Sequence, residues 1–376
     1  MLAVLTPAPE LVDDALGYDA AARRLVNDGY FAYVDPDTSI DAPHPNAIVM
    51  PGYPAFLAAV YAVAGPSVPA QPLMSLVQAL LSGLTLFGVF ALARRIAGPL
   101  AGLAALGLCA GYPPMWWSYR YVLTEDVTAA LCVWSAWAVL RAADPTERRL
   151  RPGAWAAAGL LAAAAIYVRP TVGAWVLLAG LVLIARHPDR GRVVRGGLVL
   201  ATVVVVCFVP WWFRNAAIYG TFVPLSTKGA AAGAVLSLYD DADAGAQAIE
   251  PFGVSYTDPA EELRADAGLS ELSARLHRDA LRSDPVGLVW RKTRYALIAI
   301  STYHPNPFGG FGGWGAVVEA AHLLLLAMAA RGSVLGGRHA GVWVLLALPV
   351  ALLLVHAPTL IYSRYLFPMM PFAAVL

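Results

Sequence analysis

The sequence predicts an all-α protein that crosses a membrane many times, and three observations support this fold class. Of the 376 residues, 59% are hydrophobic and only 14% are charged, whereas soluble domains have about 25% charged residues. The apolar residues gather in runs of about 17–22 residues, the length that crosses a hydrocarbon core about 30 Å thick. Short loops rich in arginine separate these runs at regular intervals.

About nine apolar runs are predicted to be spanning helices. The last run ends at Leu376 after about 13 residues, which is too few to cross the hydrocarbon core, so we expect this helix to be cut short. The runs are 71–93, 99–117, 121–140, 153–168, 171–186, 196–213, 314–330, 341–361 and 364–376.

The basic loops predict the orientation of these helices, because short loops rich in Lys and Arg stay in the cytoplasm. Four alternate loops are basic, which places the two longer polar segments on the extracytoplasmic side. The N-terminal segment would then need a further spanning helix before Met1 to carry it across. The basic residues are Arg94 and Arg95; Arg141, Arg148, Arg149 and Arg151; Arg186, Arg190, Arg192 and Arg195; and Arg331 and Arg338.

The chain therefore divides into four predicted parts. Residues 1–70 form a first extracytoplasmic loop with a juxtamembrane helix, and 71–213 form a bundle of six transmembrane helices. Residues 214–313 form a second extracytoplasmic loop, and 314–376 hold the C-terminal transmembrane helices.

The second loop contains two predicted amphipathic helices. The first has Leu269, Leu272, Leu276 and Ala280 at helical spacing and ends at Asp284. The second is the stretch VGLVWRKTRYALIAI, whose mixture of basic, aromatic and apolar residues favours a helix that lies in the headgroup region.

Several classes of function are disfavoured by composition. The net charge of +1 predicts no nucleic-acid partner. Cys109, Cys132 and Cys207 lie inside apolar runs and are expected to be membrane-embedded side chains rather than disulfides or metal ligands. No Cys/His spacing indicates a metal site, so we expect a metal-independent protein without a cofactor.

Acidic residues in the first loop are candidates for general-base chemistry. Asp14 lies one turn before Tyr18, near the start of a short predicted helix. The carboxylate there either caps the helix, as Asp often does, or remains ionised near an acceptor, as a general base must; the two roles are compatible. Glu125 and Arg120 lie at the outer ends of two spanning runs, either as functional ions or as interfacial anchors.

Basic residues at the outer helix ends predict a site for a phosphate at the membrane surface. Arg169, Arg214 and Arg364 all fall on that side, and guanidinium groups suit phosphate recognition. A single arginine could instead snorkel towards the headgroups. Lys228 follows the Arg214 helix among small residues, and His44 is the histidine expected nearest the site.

The order of motifs resembles a known family of membrane enzymes. The motifs are the acidic Asp14–Tyr18 segment, PGYPAFLA, LVQALLSGLTL, ARRIAG, GYPPMWWSYRYVLTED, YVRPT, PWWFRNAAIYGTFVPLSTKG, RKTRYAL and SRYLFP. Over nearly the whole chain this series is similar to the GT-C glycosyltransferases related to protein O-mannosyltransferases and lipid A aminoarabinose transferase, in the bacterial mannosyltransferase-like group. The PWWFRN-to-PLST stretch is the most specific part.

The resemblance implies a GT-C helical bundle and an inverting transfer of sugar from a polyprenyl-phosphate carrier to an acceptor hydroxyl. It implies that Asp14 is the catalytic base. In many relatives an acidic residue follows this Asp, whereas here Ala15 follows and Asp13 precedes, so Asp13 is a second candidate. Glu125 falls at the second acidic position of the family.

The resemblance also implies roles for basic and aromatic residues. Arg214 and Arg364 fall at family arginines expected to hold the carrier phosphate, with a looser match for Lys228 and Arg169. We add Arg120 to the donor phosphate site. The expected acceptor or sugar pocket residues are Tyr18, His44 and Tyr53.

Other functions remain open at this point. A transporter or lipid flippase could share this topology, although it should carry charges near the middle of the bilayer. A non-catalytic relative is the third reading. The expected partners are a lipid-linked sugar, membrane lipids and a protein, glycan or lipid acceptor; neither the sugar nor the acceptor is specified by the residues.

Overall fold

The computed structural model describes residues 11, 14–34, 43–65, 68–147, 149–227, 231–239, 242–252, 258–302, 312–356, 359 and 363–376. Across these ranges the regular secondary structure is helical, without a strand, which confirms the all-α fold class. The apolar helices also confirm a multi-pass membrane protein.

Two helices precede the bundle and pack against each other. They are α1 (Asp14–Asn27) and α2 (Gly52–Ala64). The hydroxyl of Tyr61 on α2 donates a hydrogen bond to Asp19 Oδ1 on α1 at 2.6 Å. Arg23 bonds the other oxygen of Asp19 and lies over the Tyr61 ring, 4.8 Å from its centroid. These contacts fix the first loop helix on the end of the bundle.

The N-terminal bundle follows the predicted order of helices, with one difference. Its helices are α3 (Ala70–Ala97), α4 (Pro99–Gly111), α5 (Pro113–Ser118), α6 (Glu125–Ala142), α7 (Pro152–Val168), α8 (Val172–Arg186) and α9 (Arg190–Tyr219). The predicted run 99–117 is two helices, because Pro113 has no N–H to continue the first of them. Gly98 joins α3 to α4 with a positive φ of 93°, a conformation that favours glycine.

The second polar segment is helical as well. It contains α10 (Ala231–Leu236), α11 (Ala242–Ile249), α12 (Pro259–Ser283) and α13 (Pro285–Ser301). Asp258 caps α12 through the Glu261 amide, and Asp284 caps α13 through the Gly287 amide, both at 2.8 Å. The two amphipathic helices expected from the sequence are therefore present, and α12 ends where Asp284 precedes a proline.

The expected headgroup helix, α13, has an apolar outer face. Val286 and Trp290 are 77% and 64% exposed, while Arg291 and Lys292 turn inward and hydrogen-bond Leu238 and Ser237. An exposed apolar stripe is suited to a helix at the membrane surface.

The C-terminal region completes the bundle with α14 (Gly315–Leu335), α15 (Ala340–His356), a 3₁₀ helix (Ser363–Met369) and α16 (Met370–Val375). The predicted run 364–376 is not one α-helix, because Pro368 and Pro371 interrupt its hydrogen bonds. Phe367 and Phe372 are instead buried in the core of the bundle.

Fewer of the described helices reach a full spanning length than the nine runs predicted from the sequence. Within the described residues, three helices are long and apolar enough to cross a membrane: Ala70–Ala97, Arg190–Tyr219 and Gly315–Leu335. Five further apolar helices have 10–17 residues, which at 1.5 Å per residue is less than a hydrocarbon core of about 30 Å.

The four basic loops meet at one end of the bundle. Arg95 pairs with Asp144 of the second loop at 2.5 Å. Arg192 of the third loop donates to the carbonyl of Asp144 at 2.7 Å, and Arg186 reaches the carbonyl of Gly337 in the fourth loop at 3.3 Å. The loops predicted to share a side of the membrane are thus neighbours in space.

A close contact at Gly52 sets the distance between the first loop and the bundle. A Cβ at this position would lie 2.4 Å from the backbone carbon of Tyr167, at the end of α7. We expect Gly52→Ala to destabilise the protein by about 1–3 kcal/mol, because backbone cannot yield as a side chain does. The loss of stability is measured as a lower melting temperature in detergent. Gly83→Ala is the matched control, because a Cβ at Gly83 would have no neighbouring atom within 4 Å, and its melting temperature should remain near that of the wild type.

Candidate active site

Asp14 is the first residue of α1 and is held by side chains from two other parts of the chain. Its carboxylate accepts a hydrogen bond from the Tyr33 hydroxyl and lies 3.4 Å from Nη2 of Arg364. Asp14 is 38% exposed, whereas Arg364 is 13% exposed. A partly exposed carboxylate therefore lies beside a largely buried guanidinium group.

Glu125 and Arg169 form a second pair at the same end of the bundle. Glu125 begins α6 and Arg169 follows α7; because these helices are antiparallel neighbours, the two residues meet. Glu125 Oε1 lies 3.7 Å from Nη1 of Arg169, and both side chains are buried. That Nη1 makes no hydrogen bond, so this guanidinium retains a buried donor.

Tyr18 is influenced by the charges of both pairs. Its half-buried ring lies one turn beyond Asp14, and the pKa of its hydroxyl is raised above the usual value for tyrosine, first by desolvation and then by the charges of Asp14 and Glu125. Arg169 and Arg364 act on the same hydroxyl in the opposite direction. Two carboxylates and two guanidinium groups from four separate segments therefore act electrostatically on one half-buried phenol.

Tyr53 lies beneath Tyr18 and supports it. The two rings are in edge-to-face contact with centroids 5.2 Å apart. The Tyr53 hydroxyl donates to Gln78 at 3.0 Å, and Gln78 in turn donates to the carbonyls of Tyr119 and Tyr121. Tyr53 therefore packs against Tyr18 with its ring, while its hydroxyl is hydrogen-bonded to Gln78.

Tyr365 is a residue of this site that sequence reasoning missed. Arg169 and Arg364 both lie over its ring, at 4.8 and 5.3 Å from the centroid, and His356 stacks on it at 5.2 Å. Cation–π contacts of this kind orient guanidinium groups. The available signal was its position directly after Arg364 in SRYLFP, yet its contact with Arg169 depends on the 3₁₀ helix.

Other candidates lie in different surroundings. Arg214 donates to the carbonyl of Phe31 at 2.7 Å and lies over the rings of Phe31 and Trp211. His44 pairs with Glu262 at 3.0 Å. Arg120 lies over the Trp117 ring, 5.3 Å from its centroid. Arg214 thus contacts Phe31 and Trp211 and His44 contacts Glu262, while Arg120 lies beside the aromatic residues expected at the interface.

Two candidates cannot be placed. Asp13 and Lys228 lie outside the described residues. Asp13 therefore stays a prediction from the sequence, whereas Asp14 has the contacts with Tyr33 and Arg364 described above.

Residues 43–213 match the family described as dolichyl-phosphate-mannose-protein mannosyltransferase. This range contains Glu125 and Arg169 but neither Asp14 nor Arg364, so their convergence is information from the structure. A search of curated proteins gives no match.

Solved structures resemble the chain over nearly its whole length. The archaeal oligosaccharyltransferase AglB from Archaeoglobus fulgidus, in complex with an inhibitory peptide and a dolichol-phosphate, is 15% identical with a TM-score of 0.58; the match covers 99% of this chain and 47% of that one. The apo form of the same enzyme is 13% identical with a TM-score of 0.58, and the match covers 99% of this chain and 47% of that one. ArnT from Cupriavidus metallidurans bound to undecaprenyl phosphate is 15% identical with a TM-score of 0.46, and the match covers 97% of this chain and 73% of that one.

The chain spans about half the length of the oligosaccharyltransferase that it matches. At 15% identity the likeness to AglB concerns the fold, and it adds to the family match of residues 43–213. The resemblance expected from the order of the motifs is confirmed: the chain has the fold of the GT-C membrane glycosyltransferases, and its residues 43–213 resemble the dolichyl-phosphate-mannose-protein mannosyltransferases.

Proposed function

We propose that this protein is an inverting glycosyltransferase that moves a sugar from a polyprenyl-phosphate carrier to an acceptor hydroxyl on the extracytoplasmic face of the membrane. The observation that carries the proposal is that the Asp14–Arg364 and Glu125–Arg169 pairs come together at the Tyr365 ring, over which both arginines lie. An inverting transfer needs one base and a cation for the leaving phosphate, in one place.

In this proposal Asp14 is the general base. As the acceptor oxygen bonds to the anomeric carbon, its proton passes to the Asp14 carboxylate. The bond between that carbon and the phosphate oxygen breaks, and its electron pair leaves on the phosphate. Attack from the face opposite the phosphate inverts the anomeric centre. The partial exposure of Asp14 permits an acceptor to reach it.

Arg364 and Arg169 would stabilise the charge that develops on the phosphate. Their guanidinium groups share the Tyr365 ring, which holds both in one region, and Glu125 anchors Arg169. Preorganised cations contribute to catalysis because they need no reorientation in the transition state. Arg214, with its donors bound to Phe31 and Asn215, fits a supporting role in this proposal.

The side of the membrane follows from the basic loops. The Asp14 site lies at the ends of α6 and α7 that are remote from the basic loop joining these helices. Since basic loops stay in the cytoplasm, the site would face the other compartment. The dolichol-phosphate in the AglB structure and the undecaprenyl phosphate in the ArnT structure are carriers of the proposed chemical class.

A direct assay tests the proposal. Membranes containing the protein are incubated with a panel of polyprenyl-phosphate sugars and cell-envelope acceptors, and products are identified by mass spectrometry. We expect free polyprenyl phosphate and an acceptor heavier by one sugar, with the inverted anomer by NMR. Membranes carrying Asp14→Asn are the control for endogenous enzymes.

The same assay separates the alternatives. A lipid flippase would move the intact lipid-linked sugar across proteoliposomes that contain no acceptor, and would leave the sugar–phosphate bond unbroken. The site charges lie at helix ends rather than near the bilayer midplane, where transporters bind their substrates. Movement without cleavage would overturn the glycosyltransferase proposal, and the absence of both activities would favour a non-catalytic relative.

A further inference from the structure

A second buried polar network lies next to the proposed active site, centred on Glu262 of α12. Glu262 is 1% exposed. Its carboxylate accepts hydrogen bonds from the Tyr219 hydroxyl at 2.7 Å, from Nε2 of His44 at 3.0 Å and from the Thr227 hydroxyl. A buried carboxylate is tolerated only when donors replace its hydration, and these three donors do so.

The donors belong to two distant parts of the chain. His44 lies in the first polar segment, whereas Tyr219 ends α9 and Thr227 follows it by eight residues. Glu262 therefore joins both long polar segments to the end of a membrane helix. Removal of one acceptor oxygen would leave a buried donor unsatisfied, which costs more than the bond itself contributes.

Backbone hydrogen bonds extend the network towards the first loop. The Tyr219 hydroxyl accepts from the Ala47 amide at 2.6 Å, and the Thr227 amide donates to the Ala47 carbonyl at 2.8 Å. Both polar groups of the Ala47 backbone are thus held by residues that Glu262 binds.

Asn46, the next residue towards the N-terminus, carries the network to Tyr33. Its Oδ1 accepts from the Tyr33 amide at 3.0 Å, and its Nδ2 donates to the Tyr33 carbonyl at 2.8 Å. The hydroxyl of Tyr33 then donates to Asp14 Oδ1 at 3.4 Å. Each step from Glu262 to Asp14 is a described hydrogen bond or the covalent link between Ala47 and Asn46.

The packing of Tyr33 against α1 leaves it little freedom. Tyr33 is 1% exposed, and a Cβ on Gly17 would lie 2.6 Å from its ring. Gly17 makes room for the ring less than one turn after Asp14. The position of the Tyr33 hydroxyl is therefore determined by its backbone, and the backbone is held by Asn46.

We infer that Glu262 is a positioning residue for Asp14, acting through the Ala47–Asn46 segment and the Tyr33 hydroxyl. The inference rests on the proposed role of Asp14 as general base. A hydrogen bond to a carboxylate restricts its rotation, and small errors in the position of a base reduce the rate. The second polar segment thereby acts on the chemistry without contacting the substrate.

The kinetic test uses Glu262→Gln, Tyr33→Phe and the double variant. Each single change should lower kcat by about tenfold or more, as expected for loss of a hydrogen bond to a charged group, with the donor KM within about twofold. If Glu262 acts through Tyr33, the double variant is no slower than the slower single variant. A double variant whose loss of kcat equals the product of the two single losses would overturn the inference. Glu271→Gln, an exposed change on the same helix, is the control.

Hydrogen exchange gives a readout that does not need activity. Peptides containing the Tyr33, Ala47 and Thr227 amides should exchange faster in Glu262→Gln, because these amides belong to the network. In Tyr33→Phe they should exchange at the wild-type rate, because only the terminal hydroxyl is lost. Unchanged exchange in Glu262→Gln would refute the network; normal network behaviour in a protein without transferase activity would instead refute the proposed function.

Discussion

Replacement of Asp14 by asparagine is expected to lower kcat for sugar transfer by about 10²–10⁴-fold, the usual contribution of general-base catalysis. Asparagine has nearly the same shape, and its Oδ1 can still accept the Tyr33 hydroxyl, so insertion and folding should be preserved. The amide cannot take the acceptor proton. Transfer rates with saturating donor and acceptor measure the effect.

The Asp14 result is informative because the chain offers a matched control. Asp28→Asn changes an exposed carboxylate just beyond the end of the same helix and should retain full activity. Donor binding by Asp14→Asn should weaken little, since Arg364 and Arg169 remain. Full activity of the Asp14→Asn variant would show that Asp14 is not the base. If the separate Asp13→Asn variant were then inactive, the role of general base would belong to Asp13.

Replacement of Arg364 by glutamine is expected to lower kcat by about 10²–10³-fold, comparable to the loss of one preorganised donor at a developing negative charge. Within the part of the chain that the structure describes, Arg364 is the cation that pairs with Asp14, and its guanidinium lies over the Tyr365 ring. The charge on the leaving phosphate is greatest in the transition state, so kcat should fall more than the donor KM rises. Initial rates across a range of donor concentrations separate the two parameters.

Lysine should not restore the activity lost with Arg364. Its compact ammonium lacks the planar fork that binds phosphate and stacks on a ring, and its charge would lie at a different distance from the Tyr365 face. We expect Arg364→Lys to stay at least about tenfold below wild type. Arg190→Gln, at the basic end of the molecule, is the control. A rise in KM alone would show that Arg364 binds the donor without stabilising the transition state.

The fold class was accessible from the sequence because the pattern of apolar runs is a one-dimensional signal. Run lengths predicted helices near their observed positions, including α7 and α8, and arginines predicted which loops would lie together. The pairing of Arg95 with Asp144 and the bond from Arg192 to Asp144 agree with that assignment. Prolines decided the exceptions: Pro113 divided one predicted helix and Pro368 and Pro371 reshaped another.

The site was only partly accessible from the sequence. The resemblance singled out Asp14, Glu125 and Arg364, and the structure pairs Asp14 with Arg364 and Glu125 with Arg169. It ranked Arg169 below Arg214, whereas the structure gives Arg169 contacts with Glu125 and Tyr365 and gives Arg214 a bond to Phe31. Arg169, Arg214 and Arg364 lie at the same end of the bundle, and the sequence does not indicate which of them contact common neighbours.

The sequence by itself determined the helical membrane fold, because composition and periodicity depend on neighbouring residues. The common side of the polar segments stays a prediction from the basic loops, and the class of chemistry is what the family resemblance implies. Only the tertiary structure decided which charges meet. Asp14 and Arg364 are 350 residues apart, and Glu262 reaches Asp14 through Ala47 and Tyr33. Such contacts arise from the packing of helices against one another, which fixes distances between residues that no local pattern relates.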